Sequence, residues 1–131
     1  MQVLLDEERD KVVQTALSFL ERAYARDFRC TDFVRQVYWK ALGIEVPKFG
    51  KHAPPREFNI TAREVRSPKP GSIIFLKDRY DPRKERSWTH VVIALPDNTC
   101  IHCSLFAGDV RISSLAALMA ERYDFAESTP A

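Results

Sequence analysis

The sequence has no long apolar run. A membrane-spanning helix needs about 18 or more consecutive apolar residues, and no segment of the 131-residue chain approaches that length. At the start of the chain, the apolar run from Val3 to Leu5 is followed at once by the charged run 6–10, which is too early for the apolar part of a signal peptide. We therefore expect a protein that stays in the cytoplasm as it is synthesised, unless a specialised secretion system exports it or a leader has been trimmed from the sequence.

Glycine is scarce, and the charge is not one-sided. The chain has four glycines, and it contains neither a glycine-rich phosphate loop nor the Gly-x-Ser-x-Gly elbow of serine hydrolases. Twenty Lys and Arg against 18 Asp and Glu leave a formal net charge of +2, without the clustered basic face that marks nucleic-acid-binding proteins. The composition therefore favours none of these three classes.

Cysteine is also rare. Three cysteines are an odd number, which argues against a disulfide framework and leaves at least one thiol free. Because 45% of the residues are hydrophobic, the chain can bury a core, and its length fits a single domain over residues 1–131.

Hydrophobic periodicity predicts helices first and strands later. The first helix follows the acidic residues 6–8 and runs through Arg26. The second begins at Cys30 and ends near Leu42, where Gly43 can take the left-handed conformation that stops a helix. A proline-rich connection over 45–69 carries one helical turn near 61–64. The remaining predicted elements are strands at 72–76, 90–95, 99–104 and 109–112, a short helix to Glu121 capped by Ser113 or Ser114, and an edge strand at 123–126.

Cys30 opens the second helix in phase with its apolar face. Backbone N–H groups and the positive end of the helix dipole favour an anion at this place, so we expect a lowered thiol pKa, with Arg29 acting in the same direction. The alternative interpretation is an ordinary buried thiol that behaves as a small apolar side chain.

His90 and His102 lie on the two strands of a predicted hairpin. If the loop is the three residues 96–98, Leu95 pairs with Thr99, and the two histidines become diagonal neighbours on one face. Such neighbours are roughly 7–8 Å apart at the backbone, within reach of ring side chains. A loop longer by one residue would put the rings on opposite faces.

These three residues fit a nucleophilic site. A thiol needs a base within hydrogen-bond reach, and the base works better when a third polar group orients it. Cys30, His90 and His102 match those roles in that order, on two strands that face the cysteine helix.

A metal site is the competing interpretation, because Cys100, His102 and Cys103 fall within four residues. On a strand, however, Cys103 points away from the other two, and the paired-ligand spacing of structural zinc modules is absent. We therefore predict no metal and no cofactor.

Six short segments share their order and spacing with one known family. They are Cys30 to Val34, Ala41 to Ile44 with Pro47, Lys69 to Phe75, His90 to Ile93, Ile101 to Ser104 and Val110 to Ile112. Together, over about residues 10–126, they resemble the NlpC/P60 family of papain-like cysteine peptidases. The resemblance implies an α+β fold in which N-terminal helices, one with the nucleophile at its start, pack on an antiparallel sheet. It assigns the nucleophile to Cys30, the base to His90 and the orienting residue to His102.

The resemblance also implies a substrate class. Members hydrolyse amide bonds in bacterial cell-wall peptides, so we expect a cysteine hydrolase of peptidoglycan stem peptides or their fragments, working through an acyl-enzyme. Tyr24, Arg29 and Asp32 lie where the resemblance places the substrate site. The substrate would be met during cytoplasmic recycling or after export as an antibacterial effector, whose producer needs an immunity protein.

Two alternatives stay open on the same fold. A thiol-dependent acyl or amine transferase would use the same three residues while excluding water. A catalytically silent binding module would keep the cleft and lose the reactive thiol.

Overall fold

The computed structural model describes residues 4–46, 63–64, 68–78, 90–121 and 123–128. Within these ranges the chain forms three helices and six strands. The elements are α1 (Asp6–Leu17), α2 (Cys30–Leu42), β1 (Arg63–Glu64), β2 (Ile73–Asp78), β3 (His90–Ala94), β4 (Thr99–Ser104), β5 (Asp109–Ser114), α3 (Leu115–Glu121) and β6 (Tyr123–Ser128). None of the described helices is long and apolar enough to cross a membrane.

The six strands form one antiparallel sheet in the order β1-β6-β2-β3-β4-β5. The predicted α+β class with an antiparallel sheet is therefore confirmed. Two local predictions are wrong. β6 is not an edge strand, because β1 pairs with its outer side, and residues 63–64 are in that pairing instead of a helical turn. The rest of the proline-rich connection, apart from 45–46 and 68–69, lies outside the described residues.

The sheet has a core on each face. On one face, α1 and α2 pack against residues such as Phe75, Val91 and Cys103. On the other, Leu115, Leu118 and Met119 of α3 cover a smaller apolar set. Alternation along each strand decides which residues belong to which face.

α1 is shorter than its hydrophobic pattern predicts, since it ends at Leu17 and not at Arg26. The residues after it form backbone hydrogen bonds with the sheet: Glu21 N–H donates to Val110 O, and Tyr24 N–H donates to Gly108 O, both at 2.9 Å. Ala23 also bridges to Asp109. Pairing with a sheet satisfies the same backbone groups that a continued helix would, and here the tertiary contact overrides the local pattern.

α2 follows its prediction closely. It begins at Cys30 and ends at Gly43, whose φ is 65°, the left-handed conformation that glycine tolerates. Its inward face is fully buried at Phe33, Val34 and Val37. Burial of side chains this large stabilises the fold by about 1.5–3 kcal/mol each, which fixes the rotation of α2 and so the direction in which residue 30 points.

A turn at Pro70 and Gly71 ties α1 and α2 to the start of β2. The guanidinium Nη1 of buried Arg9 donates to Pro70 O at 3.3 Å, and the hydroxyl of Tyr38 donates to Gly71 O. A Cβ on Gly71 would lie 3.3 Å from the Cα of Arg9, and the φ of Gly71 is 86°. Only glycine fits there without strain, so this turn sets how close both helices lie to the sheet.

Candidate active site

The β3–β4 hairpin has the predicted register. Ile93 pairs with Ile101, and Leu95 N–H donates to Thr99 O at 2.9 Å. Within the three-residue loop, Asp97 and Asn98 have φ values of 63° and 56°, a conformation that Asp and Asn side chains accept more readily than most. The loop length therefore makes residues 90 and 102 diagonal neighbours.

The two histidine rings meet. His90 Nε2 and His102 Nδ1 are 2.7 Å apart, and the ring centroids are 4.9 Å apart at an interplanar angle of 74°. On the far side of the second ring, His102 Nε2 lies 2.8 Å from Ser113 Oγ. His102 is only 4% exposed, so these are bonds between buried or half-buried groups.

Ser113 is a residue of this network that sequence reasoning missed as part of the site. The sequence offered it, or Ser114, as a helix cap. Ser114 has that role, because its Oγ accepts the N–H of Ala117 at 3.3 Å. Strand alternation was the available signal. Ser113 lies two residues after Arg111 on β5, and Arg111 pairs directly with His102, so Ser113 and His102 share a face of the sheet.

Strand alternation places His90 and His102 on the same face of the sheet as each other. His90 and His102 alternate with Val91 and Cys103, and it is Val91 and Cys103 that belong to the core under α1 and α2.

The sulfur of Cys30 lies close to the sheet. It is hydrogen-bonded by the backbone of Val91, which follows His90 on β3, and by that of Thr31. It is also near enough to Cys103 on β4 to raise the pKa of the Cys103 thiol. The thiol thus lies where the chain passes from Val91 to His90.

The pKa of Cys30 is raised from its ordinary value, so the predicted lowering is wrong for the resting protein. Burial is the main cause, and it outweighs the backbone hydrogen bonds from Val91 and Thr31, which lower the pKa. The charge of Asp32 raises it further, whereas the guanidinium of Arg29 is held away by its Nε bond to Arg26 O at 3.0 Å. Desolvation disfavours the thiolate and leaves a neutral thiol.

Both histidines are neutral at physiological pH. Burial is the first cause that lowers the pKa of His90, followed by the proximity of His102. Burial and then the charge of Arg111 lower the pKa of His102 to about 4. If both the thiol and the imidazoles are neutral, the thiol can react only when it loses its proton during the reaction. Accepting that proton is the role of a general base.

Two of the three predicted substrate residues, Arg29 and Asp32, lie at the start of α2. Asp32 Oδ2 accepts the N–H of Arg29 at 3.0 Å, which is half of a capping box and helps to begin the helix at residue 30. The Tyr24 side chain packs against the main core. Their contacts with a substrate stay predictions.

Cys100 and Cys103 are both fully buried. They lie in the cores on opposite faces of the sheet, as strand alternation predicts. Among the described residues, no group of three His, Cys, Asp or Glu side chains is arranged to hold a metal ion.

N-terminal helices packed on an antiparallel sheet, with a cysteine at the start of one helix, form the α+β fold of papain-like thiol enzymes. The sequence profile of the NlpC/P60 family matches residues 21–127, which is most of the chain, and the protein belongs to that family. The predicted class, a cysteine peptidase or amidase, is thereby confirmed.

Solved structures agree on the fold. The NlpC/P60 domain of the peptidoglycan hydrolase SagA is 24% identical, with a TM-score of 0.68, over 90% of this chain and 96% of that domain. An NlpC/P60 family protein from Bacillus cereus is 25% identical with a TM-score of 0.69, and the match covers 90% of this chain and 39% of that protein. The peptidoglycan hydrolase RipB from Mycobacterium tuberculosis is 20% identical with a TM-score of 0.62, over 92% and 63% of the two chains. Among curated protein sequences, none matches this chain.

Proposed function

We propose that the protein hydrolyses amide bonds in peptidoglycan stem peptides or their fragments, with Cys30 as nucleophile, His90 as general base and His102 as the residue that orients His90. The observation that carries this proposal is the contact of the Cys30 sulfur with the backbone of Val91, directly after a histidine whose ring is bonded to a second one. The substrate class is supported by two similar structures whose names describe peptidoglycan hydrolases.

In this proposal the two ring nitrogens of His90 have different roles. Its Nε2 is bonded to His102, so Nδ1 is the atom for the thiol proton. In the first half-reaction, Nδ1 takes that proton while the sulfur bonds to the amide carbonyl carbon. The tetrahedral intermediate then collapses, the C–N bond breaks, and the leaving amine receives the proton from Nδ1.

The second half-reaction releases the acyl group. Nδ1 of His90 takes a proton from water, and the hydroxide oxygen bonds to the thioester carbon. The C–S bond then breaks, the carboxylic acid leaves, and the sulfur regains its proton. We expect the backbone N–H groups that begin α2 to stabilise the negative oxygen of both intermediates, and a single donor of this kind is worth about 3–4 kcal/mol in comparable sites.

Mass spectrometry of purified muropeptides tests the proposal. Wild-type protein is expected to release products with new amine and carboxyl ends, Cys30→Ala to release none, and the matched surface variant Lys40→Ala, at the far end of the same helix, to behave as wild type. Persistent cleavage by the alanine variant would refute the mechanism. An added amine that appears in the product would instead identify a transferase.

The route to the substrate remains part of this proposal. Recycling of wall fragments inside the cell and export as an effector, with an immunity protein as partner, both fit a hydrolase of stem peptides. Cleavage of small muropeptides but not of intact wall sacculi would favour recycling.

A further inference from the structure

We propose that Ser113 is a positioning residue of this site: its Oγ accepts the Nε2–H of His102 and thereby keeps Nδ1 of His90 as the proton-accepting nitrogen. The inference deepens the proposed function, since it assumes that His90 is the base. It stands on the 2.8 Å distance between Ser113 Oγ and His102 Nε2 and on the 2.7 Å distance between the two rings.

Proton counting explains why the far end of the network matters. A neutral imidazole carries one N–H, and its other nitrogen is an acceptor. The short bond between the rings needs one proton, supplied either by His90 Nε2 or by His102 Nδ1. Only the first choice leaves Nδ1 of His90 without a proton and able to take one from the thiol.

That choice obliges His102 to carry its own proton on Nε2. An N–H donor buried without an acceptor costs free energy comparable to a lost hydrogen bond or more, and His102 is only 4% exposed. Ser113 Oγ lies at hydrogen-bond distance from this nitrogen, so the serine stabilises the productive tautomer. Without the hydroxyl, the productive tautomer leaves the Nε2–H of His102 buried without this acceptor.

The surroundings keep His102 from taking a second proton. Arg111 pairs with it across β4 and β5, and the guanidinium of Arg111 is itself held by Asp109, Nε to Oδ1, at 2.9 Å. The nearby positive charge disfavours a histidine cation. His102 therefore accepts one hydrogen bond at Nδ1 and donates one at Nε2.

Two-bond ¹⁵N–¹H correlation spectra of histidine side chains read the tautomers directly, without any substrate. The wild-type spectrum is expected to show Nε2–H on both His90 and His102, with signals assigned from the variants His90→Gln and His102→Gln. In Ser113→Ala, the His102 signals are expected to shift toward the Nδ1–H form, and Ser113→Thr, which retains the hydroxyl, is expected to match wild type. A wild-type His102 protonated on Nδ1, or a tautomer unchanged in Ser113→Ala, would overturn the inference.

Kinetics supply the second readout. Ser113→Ala is expected to lower kcat by about 10-fold, the effect of one lost buried hydrogen bond, with KM within about two-fold. Ser114→Ala, which removes only the cap of α3, is expected to leave kcat unchanged. In a His102→Ala background the Ser113 substitution is expected to have no further effect on kcat, and an equal loss in both backgrounds would contradict a role through His102. If no variant and no wild type hydrolyses amides, the proposed function fails while the spectra still decide the role of Ser113.

Discussion

The sulfur of Cys30 and the backbone of Val91 are hydrogen-bonded to each other across the contact between helix α2 and strand β3. This contact brings the thiol to the residue next to His90 on β3. The first residue of α2, Cys30, therefore lies close to the start of β3, where His90 is the first residue.

The reactivity of Cys30 is expected to depend on His90 and not on a thiolate at rest. Because burial raises the thiol pKa, the rate of alkylation by iodoacetamide at pH 6 should fall at least several-fold in His90→Ala. Comparison with the other cysteines would not be informative, since Cys100 and Cys103 are fully buried and are protected by burial alone. An equal alkylation rate in both proteins would show that the imidazole does not activate the sulfur.

In the pH profile of activity, the midpoint of the acid limb is expected to lie below the ordinary histidine pKa of about 6.5. Burial lowers the pKa of His90, so the base keeps its unprotonated form as the pH falls. The acid limb of kcat/KM reports the essential base of the free enzyme, and we expect it below pH 6. A midpoint at or above 6.5 would mean that the catalytic base is not this buried histidine.

Stability is expected to fall in acid through His102. Its folded pKa is lowered to about 4, below its unfolded value, so the unfolded chain binds the proton first as the pH drops from 6.5 to 4. At about 1.4 kcal/mol per pKa step, this histidine accounts for a loss of up to about 3 kcal/mol over that window. Urea unfolding at several pH values gives the free energy of unfolding as a function of pH. Between pH 6.5 and 4 this free energy should fall less steeply for His102→Gln than for wild type, and an equal pH dependence in both proteins would contradict the assignment.

The turn at Gly71 is expected to depend on the hydroxyl of Tyr38. Tyr38→Phe leaves a buried carbonyl without its donor, which should lower the free energy of unfolding by about 1–2 kcal/mol. Trp39→Phe, at a neighbouring position that is 62% exposed, is the control and should change it little. Equal stability of Tyr38→Phe and wild type would show that the bond is not stabilising.

Much of the site follows from local sequence signals. The start of α2, its stop at Gly43 and the pairing of Leu95 with Thr99 depend on helix phase and loop length, which a single sequence displays. The early end of α1 does not, because residues 21–24 bond to β5, far along the chain. A pattern with helical spacing carries no information about such a distant partner.

The electrostatics of Cys30 could not be predicted either. Helix dipole and neighbouring charge are visible in the sequence, whereas the depth of burial and the orientation of Arg29 depend on the assembled fold. Ser113 was missed for a related reason. Whether Ser113 caps a helix or bonds to a histidine depends on the register between β4 and β5, and only the tertiary structure fixes that register.

The most direct test of the central claim is intact-protein mass spectrometry after rapid acid quenching of the enzyme with a muropeptide substrate. The account predicts a mass increase equal to the acyl part of the substrate, located on Cys30, removed by hydroxylamine and absent in Cys30→Ser. Substrate turnover with no adduct on Cys30 at any quench time, or turnover retained by Cys30→Ser at the wild-type rate, would contradict it.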